Sequence, residues 1–244
     1  MMLEIAANSV ASALAAQEGG AGRVELCTAL ELGGLTPSHA QIALARERLR
    51  IPLVVLIRPR AGDFLYSDLE CETMQRDIET CVALGCDGVV LGVLDADGRV
   101  DMPRCRALIA AAGKLGVTFH RAFDLTHDPL ASLDTLVALG CERVLTSGAQ
   151  ASAIEGAGLI RQLVELSAGR IVVMPGAGVD AGNIGKLREL TGAGEFHASA
   201  KRQHPSAMQW QPALLKDMQG GELRCDVEQI RGIVAALNSA AASR

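Results

Sequence analysis

Aromatic side chains are scarce in this chain of 244 residues. They make up 2% of the sequence, with one Trp, one Tyr and four Phe, although 49% of the residues are hydrophobic. The core must therefore be built mainly from Ala, Leu, Val and Ile. Hydrophobic and charged residues otherwise occur in the proportions of a globular protein with a full core.

Positive charge and long apolar runs are also missing. The formal net charge is -5, and nucleic acids and anionic membranes both favour a basic face, so we expect neither as a partner. No run of about 18 uninterrupted apolar residues occurs, so no membrane span is expected. No Lys or Arg precedes Arg23, and Glu4 interrupts the apolar start, so we expect no signal peptide.

The cysteines do not form a disulfide framework. There are seven of them, an odd number, and they are scattered along the chain. We expect reduced thiols that are mostly buried, and therefore a cytoplasmic protein. The sequence indicates no nucleotide cofactor.

The dominant pattern is an alternation of short β-branched runs with longer helical stretches rich in Ala and Leu. Such alternation predicts parallel strands joined by helical crossovers. Eight units at this length favour a single (β/α)8 TIM barrel covering residues 1–244. The predicted strands are Leu3–Ala6, Arg23–Cys27, Leu53–Arg58, Gly88–Gly92, Val117–Arg121, Arg143–Thr146, Ile171–Met174 and Glu195–Ser199.

Residues 201–224 break this alternation. Two prolines, the single Trp and a Gly-Gly pair fall in this segment, which predicts an irregular excursion before a last helix over Asp226–Leu237. An excursion after the final strand could be a lid over the rim or an arm for a homo-oligomer.

Polar residues are concentrated at or just after the predicted strand ends, the face on which barrel enzymes carry their active sites. One alternative is structural: Glu4 and Glu25 could be interior charges paired with Arg58 or Arg121. The number of such residues favours a functional site. The candidates are Glu4, Glu25, Cys27, Arg58, Arg60, Asp63, His120, Arg121, Asp124, Thr146, Ser147, Gly176, Gly178, His197 and Ser199.

The residue types in this set are typical of acid–base chemistry on an anion. His120 is a candidate for proton transfer, because imidazole titrates near neutrality, and we expect Asp124 to orient it. Glu4 and Glu25 are further catalytic candidates. Arg58 and Arg121 could hold a carboxylate or phosphate in two-point contacts. Arg60, Asp63, His197 and Ser199 complete the predicted anion-binding rim.

A phosphate-binding element is predicted after strand 7. Gly176 and Gly178 follow that strand, where barrels often bind phosphate with backbone N–H groups. Thr146 and Ser147 could add donors from the neighbouring strand. The alternative is that these glycines only form tight turns.

Several longer motifs follow the predicted strands. They are Glu25–Cys27, Gly33–Pro37, Arg58–Phe64, Thr118–Asp124, Leu145–Gly148 and Phe196–Ala200. These motifs resemble those of the CutC copper-homeostasis family, and the likeness spans nearly the whole chain. The resemblance implies a cytoplasmic (β/α)8 barrel, often oligomeric, that binds copper and takes part in copper handling.

One departure from the family concerns the copper ligands. Many members have a Cys on strand 1 where this chain has Ala6, so Cys27 alone is left of the paired thiols that the resemblance implies as ligands. Cu(I) prefers soft ligands, and one thiolate makes a poor site unless His or Met assists.

The resemblance therefore predicts a copper-homeostasis protein that binds Cu(I). The alternative from the residues is an uncharacterised barrel enzyme acting on a small phosphorylated or carboxylated substrate. A third reading, a non-catalytic binding barrel, requires the 201–224 segment to close the rim.

Overall fold

The computed structural model describes residues 1–210 and 220–242. Eight parallel strands form the central sheet, and each lies within two residues of its predicted limits. The strands are β1 (Met2–Ala7), β2 (Arg23–Leu26), β3 (Leu53–Leu56), β4 (Gly88–Leu91), β5 (Gly116–Phe119), β6 (Arg143–Thr146), β7 (Val172–Pro175) and β8 (Glu195–Ala198).

Helices follow the strands and cover the outside of the sheet. Two of them begin with a capping box, in which Ser38 or Ser67 and a residue three positions later satisfy the first free N–H groups. The helices are α1 (Val10–Glu18), α2 (His39–Arg48), α3 (Asp68–Ala83), α4 (Met102–Ala112), α5 (Pro129–Leu139), α6 (Ala157–Ser167), α7 (Ile184–Thr191) and α8 (Val227–Ala242).

The sheet curls into a nearly closed (β/α)8 barrel, as predicted. The strand order is β7-β6-β5-β4-β3-β2-β1-β8, so β8 pairs with β1, and β7 lies against β8. All carboxyl ends of the eight strands therefore meet at one face, which we call the rim. Side chains that follow different strands in the sequence come together there.

Successive side chains along each strand point alternately into the barrel interior and outward to the helices. On β2, Val24 and Leu26 belong to the large apolar core beneath the helices. Arg23, Glu25 and Cys27 take the alternate positions, which point into the barrel. The interior of this barrel thus carries charged side chains beside a small apolar cluster of Cys27, Val54, Leu56 and Val90.

The segment after β8 is more regular than predicted. Strands β9 (Lys201–His204) and β10 (Glu222–Cys225) lie at the two ends of this segment and pair antiparallel with each other. They form a two-stranded sheet separate from the barrel. Trp210, the last residue of the first described range, is exposed. The middle of the predicted excursion, 211–219, lies outside the described residues. None of the described helices has the length and hydropathy needed to cross a bilayer.

Candidate active site at the rim

A cavity of about 300 Å³ opens at the rim. Its wall combines titratable side chains with an apolar surface, which is the usual composition of a small-molecule site. The polar wall consists of Glu25, Cys27, Arg58, His120, Arg121, Asp124 and His197. The larger apolar side chains are Leu30, Leu56, Phe64, Leu125 and Leu145.

Some of the predicted site residues lie elsewhere. Arg60 and Asp63 are outside the cavity wall, and their side chains pair with each other at 2.9 Å on the surface. Gly178 and Ser199 line a second cavity, between the loops that follow β7 and β8. Gly176 does not line either cavity, and its backbone packs against His197. The predicted rim residues are therefore divided between a central site and its surroundings.

His120 is buried and held in one orientation. Its Nδ1 accepts a hydrogen bond of 3.1 Å from the backbone N–H of Ala122. The imidazole also packs so closely on Gly92 that a Cβ there would lie 2.5 Å from its Cε1. Burial, followed by the charge of Arg58, lowers the pKa of His120 to about 3, so the ring stays neutral. Since Nδ1 accepts, the proton of the neutral ring is on Nε2, which has no partner among the described residues.

Arg58 connects the loops that follow β2 and β3. Its guanidinium donates to the carbonyl oxygens of Leu32 and Gly34 at 2.9 Å and of Gly62 at 3.0 Å. The ring of Phe64 lies between Arg58 and His120, 5.1 Å from the guanidinium carbon and 4.9 Å from the imidazole centre. The Arg58 Nε and the Tyr66 hydroxyl are both buried without a partner of full hydrogen-bond geometry among the described residues. Burial raises the pKa of Tyr66 and the nearby Arg58 opposes this, so the guanidinium is engaged by its own loops and by Tyr66 and is no free two-point clamp.

Asp124 does not orient His120 as predicted, because both of its oxygens face β6. Oδ1 accepts from the Thr146 hydroxyl at 2.5 Å and from the Ser147 and Ala149 backbone. Oδ2 accepts from the Ser147 hydroxyl and from Arg121 Nε, at 2.9 and 2.8 Å. Thr146 and Ser147 thus hold Asp124, and Asp124 holds Arg121 at the cavity mouth.

An ion-pair network lies inside the barrel beneath the cavity, and we call it the floor; His197 is the member that lines the cavity wall. Glu4 is fully buried, and its oxygens pair with Arg23 and with His197 Nδ1, the latter at 2.7 Å. Burial would raise the pKa of Glu4, but these two partners outweigh it and lower the pKa to about 2. Arg23 also pairs with Glu195 at 2.7 Å. The alternative that Glu4 pairs with Arg58 or Arg121 is wrong, because the partner comes from the first position of β2.

Glu25 is the buried acid without a compensating cation in direct contact. No described group bonds to its buried Oε2. Burial, with the nearby negative charge of Glu4, raises the pKa of Glu25 to about 7, although the charges of His197 and Arg23 act against this. The ligand atoms of Glu4, Glu25 and His197 all lie within 4.8 Å of one another. Glu25 therefore gains or loses a proton near neutral pH at the floor of the cavity.

The raised pKa of Glu25 predicts a pH-dependent stability. The pKa of this carboxyl is 4.5 in the unfolded chain and about 7 in the folded protein. Between these two pH values the unfolded chain has lost the proton and the folded protein still holds it, so the protein loses stability as the pH rises from 4.5 to 7. Glu25→Gln should match the wild type near pH 4 and exceed it by about 3 kcal/mol at pH 8. Urea unfolding at both values measures the difference. Glu79→Gln, on the exposed face of α3, is the control, and parallel wild-type and Glu25→Gln pH curves would contradict the prediction.

The family model for the CutC family matches residues 1–202. A CutC family protein from Xylella fastidiosa is 59% identical over 240 residues, which cover 98% of this chain and 90% of the relative. The chain belongs to the CutC family. A copper homeostasis protein cutC homolog from Mus musculus is 50% identical to this family member over 86% of the chain and 77% of the relative.

The fold of this CutC family member is also similar to a solved structure from the family. A CutC protein from Streptococcus agalactiae, named for copper homeostasis, superposes with a TM-score of 0.78 at 37% identity. The match covers 81% of this chain and 98% of the other. The barrel and the family resemblance predicted from the sequence are thus both confirmed.

The residues around Cys27 of this CutC family member fit a Cu(I) site poorly. Burial raises the pKa of its thiol well above the ordinary range, whereas the thiolate is the form that binds metals. No other thiol or thioether lines the described cavity wall. Cys225 bonds to the carbonyl oxygens of Ala6 and Ser199 instead, each at 3.3 Å.

The cluster of Glu4, Glu25 and His197 is no better suited to Cu(I). It offers two carboxylates and one imidazole, which are harder donors than Cu(I) prefers. Both oxygens of Glu4 are already bonded, to Arg23 and His197, so a cation would have to displace Arg23. We therefore describe this cluster as a proton-holding network.

Two residues of the site were missed at the sequence level. Arg23 neutralises Glu4 in the floor, and its sequence signal is a charged residue at the start of a strand in which charged and apolar residues alternate. Phe64 lies between Arg58 and His120. It belongs to the loop after β3, where an apolar residue gives no sequence signal for a site.

Proposed function

We propose that this CutC family member is an enzyme that transfers a proton on a small anionic carbonyl compound bound in the rim cavity. One observation carries the proposal. Two residues of the cavity wall, Glu25 and His120, each have a buried polar atom without a partner among the described residues. Buried polar groups are rarely left unpaired, and when they are, a ligand is a common explanation.

His120 and Arg58 are suited to an oxygen that gains negative charge. His120 presents Nε2–H from a neutral ring, and Arg58 places a permanent positive charge in the same wall. Donors fixed in a water-poor cavity stabilise a developing oxyanion more strongly than water does. We therefore assign His120 to polarise the substrate carbonyl, instead of the proton-transfer role expected from the sequence.

Glu25 is the group assigned to proton transfer. As a carboxylate it would take a proton from the carbon next to the carbonyl, and the C–H electrons would form an enolate held by His120 and Arg58. A pKa near the working pH suits this task, because both protonation states are then accessible. Arg121 stands half-exposed at the mouth, where it can contact a carboxylate or phosphate of the substrate.

The variant His120→Asn tests the binding part of the proposal. An Asn oxygen can still accept the Ala122 N–H, as an N-cap residue does, but no donor remains at the position of Nε2. We expect the folded variant to lose about tenfold or more in affinity for 2-keto acids and phosphorylated ketoses. The measurement is the shift in melting temperature of both proteins with each compound.

His127→Asn is the matched control, since His127 is exposed and outside the cavity wall. Compounds that stabilise the wild type and His127→Asn but not His120→Asn support the proposal. Failure of every carbonyl compound to stabilise the wild type would refute it, and so would equal stabilisation of His120→Asn.

Copper binding is the second candidate function, favoured by the family name and by the position of Cys27 in the cavity wall. A titration of reduced protein with Cu(I) against a chromogenic chelator, beside Cys27→Ser, tests it. From the poor donor set we expect no effective competition by either protein. Stoichiometric binding that Cys27→Ser loses would instead support the copper role. The cytoplasmic location and the homo-oligomeric state stay predictions.

A further inference from the structure

His197 presents one ring nitrogen to the cavity from a fixed position. Its Nδ1 lies 2.7 Å from the Glu4 carboxylate, which can only accept a hydrogen bond, so Nδ1 carries a proton. In the neutral ring Nε2 is therefore a base, and His197 lines the cavity wall. Burial lowers the pKa of His197, but its bond to Glu4 and the charges of Glu25 and Glu4 outweigh burial and raise it.

The remaining groups of the wall are unsuited to carrying protons. Arg58 and Arg121 are permanent cations, and His120 is held neutral with its Nδ1 occupied. The oxygens of Asp124 are bonded to β6 and Arg121. Burial keeps the Cys27 thiol protonated. Within the described wall, two adjacent groups are left, Glu25 and His197, with ligand atoms within 4.8 Å of each other.

Two adjacent proton carriers are more than enolate formation requires. Exchange of a C–H proton next to a carbonyl needs one base and one oxyanion site. Moving the carbonyl to the neighbouring carbon of a hydroxycarbonyl compound needs a second transfer, because a proton must also pass from the hydroxyl oxygen to the former carbonyl oxygen.

We infer that His197 is a second catalytic residue of the proposed enzyme and that its substrate is an α-hydroxycarbonyl compound, which it isomerises. This inference rests on the proposed function. Glu25 takes the proton from the hydroxyl-bearing carbon, and the C–H electron pair forms the double bond of an enediolate. The former carbonyl oxygen carries the charge beside His120 and Arg58.

The second half of the step returns both protons. His197 Nε2 exchanges protons with both oxygens: it gives one to the former carbonyl oxygen and takes the one from the hydroxyl, so its own charge is unchanged at the end. Glu25 returns its proton to the former carbonyl carbon. The electron pair left on the second oxygen forms the new C=O bond. No atom, electron or cofactor is added, so the product is an isomer of the substrate.

The variant His197→Asn separates the two transfers. The Asn side-chain N–H can keep the hydrogen bond to Glu4, but nothing replaces Nε2. Wild type, His197→Asn, Glu25→Gln and the exposed control His127→Asn are incubated in D₂O with phosphorylated ketoses of three to six carbons and with pyruvate, which has no α-hydroxyl group. NMR follows deuterium uptake at carbon and the appearance of the isomeric aldose.

We expect the wild type and His127→Asn to isomerise one of the ketoses with deuterium uptake. Loss of Glu25 should abolish both signals. His197→Asn should form the isomer about 100-fold or more slowly while its deuterium uptake falls less than tenfold. The same result is expected with EDTA present.

Other outcomes overturn one claim or both. Deuterium uptake by pyruvate without isomerisation of any ketose would refute this inference and leave the proposed function standing. Undiminished isomerisation by His197→Asn would remove His197 from the reaction. No exchange with any compound would refute the proposed function as well, and loss of activity in EDTA would show that a metal performs the chemistry.

Discussion

Replacing Arg23 with methionine should destabilise the protein by about 3–5 kcal/mol at neutral pH, because the fully buried Glu4 loses its cation. Arg23 also pairs with Glu195, and it contacts the sulfur atoms of Met2 and Met174 at 3.0 and 3.4 Å. A methionine fills part of the same space but carries no charge. Urea unfolding of Arg23→Met and wild type measures the difference.

The pH dependence identifies the cause. The folded pKa of Glu4 is about 2, below its unfolded value of 4.5, so its contribution to stability is present above pH 4.5 and is lost as the pH falls towards 2. The effect of Arg23→Met should therefore shrink at low pH, and Glu4→Gln in the same chain should recover part of it.

Arg76→Met, at the exposed pair with Glu72, is the control, with an effect within about 0.5 kcal/mol. A similarly small effect of Arg23→Met would show that the floor does not depend on this ion pair.

Replacing Asp124 with asparagine should cost about 2 kcal/mol and loosen the loop that follows β6. The carboxylate accepts bonds from the Ser147 backbone at both oxygens and from the Ala149 backbone at Oδ1. An Asn amide has a single acceptor oxygen. With its nitrogen at the Oδ1 position it would face the Ser147 and Ala149 N–H groups, and with its nitrogen at the Oδ2 position it would face Arg121 Nε, so either orientation sets donor against donor. Arg121 would lose its partner at the cavity mouth. Thermal or urea unfolding measures the loss.

Asp97→Asn is the matched control for this prediction, because Asp97 pairs with Arg99 on the surface. It should change the free energy of unfolding by less than about 0.5 kcal/mol. If Asp124→Asn is equally mild, the hydrogen bonds to β6 do not organise the rim. Hydrogen exchange at Ser147 and Ala149 would show directly whether the loop opens in Asp124→Asn.

The barrel could be predicted from the sequence because its signals are local. Each strand is a short apolar run followed by a helical stretch, and parallel strands place all their carboxyl ends on one face. The rim set predicted from that rule contains Glu25, His120 and His197, which meet in one cavity although up to 172 residues separate them in the sequence.

The pairing of those side chains could not be predicted, because it depends on which direction each one takes. His120 and Asp124 are four residues apart, yet the carboxylate turns to β6 and the imidazole to the cavity. Arg23 and Glu195 pair over β1 from the two strands that flank it, which are far apart in the chain. Residue type and strand position give the composition of a site, but the hydrogen-bond partners follow only from the packed structure.

The ion pairs inside the barrel also affect how stability varies with temperature. His197, Glu4, Arg23 and Glu195 form one connected chain through the interior, where many barrels pack only branched apolar side chains. Unfolding exposes these polar groups, and hydrating polar surface lowers the heat capacity change, whereas apolar surface raises it. The heat capacity change of this protein should therefore fall below that of an equally large barrel with an apolar interior, which makes its stability curve broader and flatter.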